Sequence, residues 1–111
     1  MPEPLYVAAE GPVLTDADQI LDIVGQALGA GADLVVLPVN RLDESFFNLR
    51  TGLAGHVLQT FANYRLKLVI LGDVGRHVAA SDAIRDLILE SNRGRQTWFA
   101  ADKADLAARL A

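Results

Sequence analysis

The stretch Asp-Leu-Val-Val-Leu-Pro at residues 33–38 constrains the fold of this chain more than any other feature. All the residues between Asp33 and Pro38 are apolar, without the alternation that a half-exposed strand shows. Such a run is typical of a strand covered on both faces, and hence of a parallel sheet with helices on both sides. A second strongly apolar stretch, at residues 66–72, predicts another strand near the centre of the same sheet.

Helical and extended segments alternate along the rest of the chain. Residues 5–9 predict a first strand, residues 96–100 predict a fourth, and residues 13–14 suggest a short strand that pairs back as an N-terminal hairpin. Each predicted helix begins at a residue that can cap free backbone amides: Thr15, Thr51, Ser81 and Asp102. The order β-α-β-α-β-α-β-α implies right-handed crossovers. We therefore expect one α/β domain over residues 1–111, with a mainly parallel four-stranded sheet and helices on both faces.

Composition excludes several classes of function. The 14 acidic and 10 basic residues give a net charge of −4, which argues against a nucleic-acid partner because the phosphate backbone needs a basic face. No apolar run approaches the roughly 20 residues of a membrane span. The N-terminus shows no signal-peptide pattern, so we expect a cytoplasmic protein. With no cysteine, two histidines and no H-x-x-x-H spacing, we expect neither a metal site nor a cofactor.

Two motifs carry a family resemblance. The segment Phe-Phe-Asn-Leu-Arg-Thr-Gly-Leu-Ala-Gly at residues 46–55 leads to Leu-Gln at 58–59 and Asn-Tyr at 63–64, and Glu-Ser-Asn-Arg-Gly follows at 90–94. Together they resemble a bacterial family catalogued as domain of unknown function 4180. The sequence departs from that pattern at His56, where an acid is expected, and at Thr60, where a lysine is expected. The resemblance implies the fold over nearly the whole chain and brings no activity.

The start of the second predicted helix carries another likeness. A strand, a loop and then Thr51-Gly52-Leu53 opening a helix is similar to the STAS domains of sulfate transporters and anti-sigma-factor antagonists. That resemblance implies a hydroxyl that can be phosphorylated to switch a protein partner, and a helix start does favour a phosphoryl group. Thr51 is also explained as an ordinary N-cap worth about 1 kcal/mol. The two interpretations are compatible.

A candidate rim site follows from the topology. Ligands of parallel sheets gather outside the carboxyl ends of the strands, and polar residues follow the second and third strands there: Asn40, Arg41, Asp73, Arg76 and His77. We expect Thr51 at the same rim. These residues would hold a small anion, or Asp73 and His77 would form an acid–base pair. Alternatively they are solvated loop residues, with Asp73 bonding nearby backbone amides.

Candidate interface residues lie on the second helix and before it. They are a polar stripe and two adjacent aromatic residues: His56, Gln59, Thr60, Asn63, Phe46 and Phe47. The stripe is either a partner surface or the wet side of an amphipathic helix. One phenylalanine marks an interface, or the loop folds over both. The second motif is interpreted as a structural helix stop, with a buried Glu90–Arg93 pair as one way to clamp the turn: Glu90, Asn92, Arg93 and Gly94.

These observations leave two function classes open. The first is a non-catalytic, STAS-like regulatory or interaction module, switched at Thr51, that binds an unidentified protein partner or forms a homodimer. The second is a small-anion or small-molecule binding protein, or an enzyme, that uses Asp73, Arg76 and His77 at the rim. The groups of an enzyme converge in a concave pocket, whereas an interaction module can present a flat face.

Overall fold

Four short strands form one parallel sheet in their order along the chain. In the computed structural model, which describes residues 3–111, they are β1 (Leu5–Tyr6), β2 (Leu34–Pro38), β3 (Lys67–Leu71) and β4 (Thr97–Ala100). The two apolar stretches form the central pair β2 and β3, which register Val36 against Val69. The predicted parallel α/β fold is confirmed.

Five helices cover the sheet, and they are divided unequally between its faces. They are α1 (Ala17–Gly29), α2 (Leu53–Asn63), α3 (Gly75–Ala80), α4 (Asp82–Arg93) and α5 (Lys103–Leu110). Each crossover moves to the next strand in the same direction, and so α1, α2 and α4 pack on one face while α5 packs on the other. Helices on both faces are therefore confirmed.

Alternate residues of the central strands point into two separate apolar layers. Val35, Leu37, Leu68 and Ile70 face α1, α2 and α4 in the larger core. Leu34, Val36 and Val69 face Leu106 of α5 in the smaller one. The unbroken apolar run arises because both sides of these strands are covered. Within residues 3–111, no helix is long and apolar enough to cross a membrane.

The predicted N-terminal hairpin is wrong. Leu14 makes an isolated parallel bridge with Leu42, and its backbone amide donates to the Arg41 carbonyl at 2.7 Å. The segment before it is held by the Arg41 guanidinium, which donates to the carbonyl oxygens of Ala8, Glu10 and Pro12. Contacts with the distant residues Arg41 and Leu42 therefore hold the segment that was expected to pair locally in a hairpin.

Two of the four predicted helix caps are displaced by one residue. Asp16, not Thr15, caps α1: its Oδ1 accepts from the Gln19 amide at 3.0 Å, and the Gln19 side chain accepts from the Asp16 amide. Gly52, in the left-handed region at φ 78°, precedes α2. Both Ser81 and Asp102 cap the helices as predicted. The loop expected at residues 73–77 is partly helical, because α3 begins at Gly75.

Candidate functional site

An open pocket of about 520 Å³ lies at the carboxyl ends of β2 and β3. Its walls come from the loop after β2, the start of α3 and the N-terminal segment: Val13, Val39, Asn40, Leu42, Asp43, Glu44, Phe47, Leu71, Gly72, Asp73, Arg76 and His77. Gly72 permits the two loops to meet, because its φ is 142° and a Cβ there would lie 2.9 Å from Val39 Cγ2. Of the five predicted rim residues, Asn40, Asp73, Arg76 and His77 line this pocket.

His77 is the buried polar side chain of the pocket. It is 8% exposed, and its ring stacks on Phe47 with centroids 3.7 Å apart and planes 9° apart. Its ring nitrogens make no hydrogen bond to any residue in the described range 3–111. Burial, and then the Arg76 charge, lower the pKa of His77 from its ordinary 6.5, so the imidazole is neutral at pH 7. A neutral ring presents one N–H donor and one nitrogen acceptor.

Three carboxylates share the pocket with one guanidinium. Hydrogen bonds from Ser45, first from its side chain, lower the pKa of Asp43. Arg76 pairs with Glu44, and its hydrogen bond lowers the pKa of that carboxyl. Asp73 Oδ1 accepts from the Gly75 amide at 2.8 Å, while Asp73 Oδ2 accepts no hydrogen bond from the described part of the chain. Asp43 and Asp73 are therefore placed by near neighbours in the chain, and Glu44 by a side chain from the other loop.

The predicted acid–base pair is not assembled in this structure. Asp73 and His77 both line the pocket, but no hydrogen bond or ion pair joins them. The Asp73 side chain instead bonds a nearby backbone amide, as the alternative interpretation of the rim proposed. The structure therefore places both side chains at the pocket without joining them.

The other rim residues fasten the N-terminal segment. Asn40 borders the pocket, and its side-chain amide donates to the Ala9 carbonyl at 2.7 Å. Arg41 does not line the pocket, because its guanidinium points to three carbonyl groups of residues 8–12. Both side chains therefore hold a wall of the site.

Thr51 lies outside the pocket, on the exposed turn before α2. Its hydroxyl proton is shared between the carbonyl oxygens of Ser45, at 2.6 Å, and Asn48, at 2.9 Å. The same oxygen accepts from the Leu53 amide at 3.2 Å. Thr51 therefore ties the preceding turn to the start of α2, while Gly52, in the left-handed region, holds the N-cap position where Thr51 was expected.

The predicted interface residues divide into buried and exposed ones. Phe46 and Phe47 are both buried, in edge-to-face contact at 5.0 Å, so the loop folds over both. Thr60 is also buried, and its hydroxyl donates to the His56 carbonyl, so its place in an exposed stripe is wrong. The exposed members are His56, Gln59 and Asn63.

The second motif is structural, but Asn92 supplies the clamp. Its Oδ1 accepts from the Phe99 amide at 2.8 Å and its Nδ2 donates to the Phe99 carbonyl at 3.3 Å, which ties the end of α4 to β4. The predicted Glu90–Arg93 pair is wrong, since both residues are exposed and form no ion pair. Gly94 ends α4, and its carbonyl accepts from the Trp98 indole at 2.7 Å.

Sequence reasoning missed Asp43 and Glu44 as pocket residues. Asp43 also caps the turn that carries Phe46 and Phe47, since its side chain accepts from the Ser45 amide. The signal that could have found them is their position in the same loop as Asn40, after β2. Even with these acids, residues 3–111 contain no group of three or more His, Asp or Glu side chains that could hold a metal ion.

A family model described as "Domain of unknown function (DUF4180)" matches residues 3–110. The chain belongs to this family. A search of the curated proteins and a search of the solved structures found no match. Membership in DUF4180 agrees with the two sequence motifs and assigns no activity, so the function has to be argued from the pocket.

Proposed function

We propose that this member of DUF4180 is a non-catalytic binding domain whose ligand site is the pocket at the carboxyl ends of β2 and β3. The observation that carries the proposal is His77, a polar side chain that is 8% exposed, lines the pocket and makes no hydrogen bond to the described residues. Only Arg109 Nε is a fully buried unpaired side-chain atom within residues 3–111, so the His77 ring nitrogens keep access to the open pocket. A ligand in the pocket can therefore hydrogen-bond the ring.

The shape and lining of the site also support binding. Ligand pockets are concave, largely apolar and carry a few converging polar groups. Here the apolar part comes from residues such as Val39, Leu42 and Phe47, and the polar part from Asp73 and His77. Asp73 and His77 do not bond each other, so both keep hydrogen-bonding atoms for a ligand in the pocket.

A ligand panel tests the proposal. Purified wild-type protein is screened by thermal shift against small cations, neutral compounds and anions of matched size, and each hit is repeated on His77→Phe. The phenylalanine variant keeps an aromatic ring against Phe47 and removes both ring nitrogens. His56→Gln is the matched control, because His56 is exposed on α2 and lies outside the pocket.

We expect ligands that raise the melting temperature of wild type and of His56→Gln but have a much smaller effect on His77→Phe. A panel without any hit contradicts the proposal. So does a hit that stabilises His77→Phe as strongly as wild type, because it would bind elsewhere on the chain.

A STAS-like regulatory module is the second candidate, and the position of Thr51 favours it. The residue is exposed at the start of α2, beside exposed His56 and away from the pocket, where a partner protein could reach it. Modification would have to displace the hydroxyl proton from two carbonyl groups. Mass spectrometry of the protein from its native host tests for phosphothreonine at position 51, and light scattering tests for a homodimer. Unmodified, monomeric protein would count against this candidate.

The cytoplasmic location of the protein stays a prediction.

A further inference from the structure

We infer that the pocket selects a small organic cation, an amine or amidine that carries an apolar group. This inference rests on the proposal that the pocket binds a ligand, and it names the ligand's chemistry. It also departs from the anion that the rim residues suggested, because the structure adds Asp43 and Glu44 to the lining.

The charges that line the pocket indicate the sign of the ligand's charge. Three carboxylates line the pocket, those of Asp43, Glu44 and Asp73, against the single guanidinium of Arg76. Glu44 pairs with Arg76, so the cation that an anionic ligand would need is already engaged. Within residues 3–111, Asp43 and Asp73 form no ion pair with a basic side chain, and a positive ligand would supply a partner.

Free hydrogen-bonding atoms point to a ligand rich in N–H groups. Asp73 Oδ2 accepts no hydrogen bond within residues 3–111, and a carboxylate is an acceptor only. Neutral His77, which also lines the pocket, adds a nitrogen acceptor. A protonated amine or amidine carries several N–H donors for such acceptors, and its hydrogen bonds to a carboxylate are stronger than neutral ones.

The apolar side chains of the pocket indicate that the ligand also carries an apolar group. Beside the acids lie the side chains of Val13, Val39, Leu42, Phe47 and Leu71. A fully hydrated metal ion would leave these surfaces in contact with water, and no group of three or more His, Asp or Glu in the described residues could hold a bare ion. An organic cation covers the apolar wall and pairs with the acids.

Isosteric probes test the inference. Benzylamine, benzyl alcohol and benzoate share a ring and differ in charge, and benzamidine adds a planar cation. Each is titrated into ¹⁵N-labelled protein at physiological ionic strength, and dissociation constants are taken from the shifts of residues 73–77. The variant Asp73→Asn removes the charge but keeps an oxygen for the Gly75 amide. Asp22→Asn, on an exposed acid of α1 outside the pocket, is the control for net charge.

We expect the two cations to bind more tightly than the alcohol or benzoate, and Asp73→Asn to weaken them at least about tenfold, as expected for loss of a charge-assisted hydrogen bond. Asp22→Asn should match wild type.

Equal weakening by both variants overturns the inference, because it indicates non-specific attraction to an acidic protein. If benzoate or benzyl alcohol binds at residues 73–77 more tightly than the two cations, the inference of a cationic ligand is overturned, while the pocket remains a binding site. Binding by none of the four also overturns it, and the wider ligand panel then decides whether the pocket binds anything.

Discussion

Thr51 and His77 are polar side chains in two neighbouring regions of the molecule, and their environments are opposite. Thr51 is exposed, yet its hydroxyl contacts three backbone groups. His77 is 8% exposed, yet its ring nitrogens contact no group in residues 3–111. Exposure alone would point to Thr51 as the functional residue. Hydrogen-bonding capacity points to His77, because its ring nitrogens remain available to a ligand in the pocket, whereas the Thr51 hydroxyl is already engaged.

The largest effect on stability is expected at Thr51. Thr51→Val removes the hydroxyl that ties the turn at Ser45 and Asn48 to the start of α2 and keeps the side-chain shape. We expect the free energy of unfolding to fall by about 1–2 kcal/mol, the range for loss of a capping side chain. Thr51→Ser should retain most of it. Urea unfolding measures both, and an unchanged midpoint for the valine variant would contradict a structural role.

A smaller effect is expected at His77, although it is the more buried of the two. His77→Phe keeps the stacking on Phe47 and removes ring nitrogens that make no hydrogen bond within residues 3–111. We expect a change of less than about 1 kcal/mol in the free energy of unfolding, of either sign. Loss of stability beyond that of Thr51→Val would reverse the comparison and make His77 a structural residue.

The ion pair at the pocket mouth should contribute less again. The side chains of Glu44 and Arg76 are 68% and 72% exposed, so water screens their attraction. We expect Glu44→Gln to leave the melting temperature unchanged within error. If the cation inference holds, the same variant frees Arg76 and weakens benzylamine binding. A clear drop in melting temperature would show that the pair holds the loop in place.

A small pH dependence should come from His77. Its pKa is lowered on folding, so the unfolded chain binds more protons just below pH 6.5 and stability rises with pH there. The contribution of His77 to the free energy of unfolding is complete above pH 6.5, and it is lost as the pH falls towards the folded-state pKa. The charged groups that share its pocket are Asp43, Glu44, Asp73 and Arg76. The first two have pKa values lowered from 3.8 and 4.5, so they stay ionised in this window.

Unfolding at pH 7.5 and pH 5.5 measures this term. Wild type and His56→Gln should lose more stability on acidification than His77→Phe does. An equal loss in all three proteins would show that His77 does not titrate differently in the folded and unfolded states.

Local signals in the sequence predicted most of the fold. The apolar run at residues 33–38 predicted the central parallel strands, and Ser81 and Asp102 marked helix starts, because those features act through adjacent residues. Thr15 and Asp16 are neighbours that can both cap the start of α1, and the sequence pattern does not determine which of them does. Leu14 was misplaced because its partner, Leu42, is distant in the chain.

The site was predictable only in part, for the same reason. Parallel topology brings the ends of β2 and β3 together, so Asn40, Asp73, Arg76 and His77 were expected in one place. The stacking of His77 on Phe47 joins residues far apart in the sequence, and no local pattern encodes it. The burial that lowers the pKa of the imidazole therefore became visible only in the folded chain.

The most direct test of the central claim is a long-range ¹H–¹⁵N spectrum of the two histidine side chains, recorded at pH 7 as ligands are added. The account predicts a neutral His77 whose ring nitrogens shift when benzylamine, or another hit of the panel, binds, while those of His56 do not move. A His77 signal that stays unchanged at saturating concentrations of every hit would contradict it.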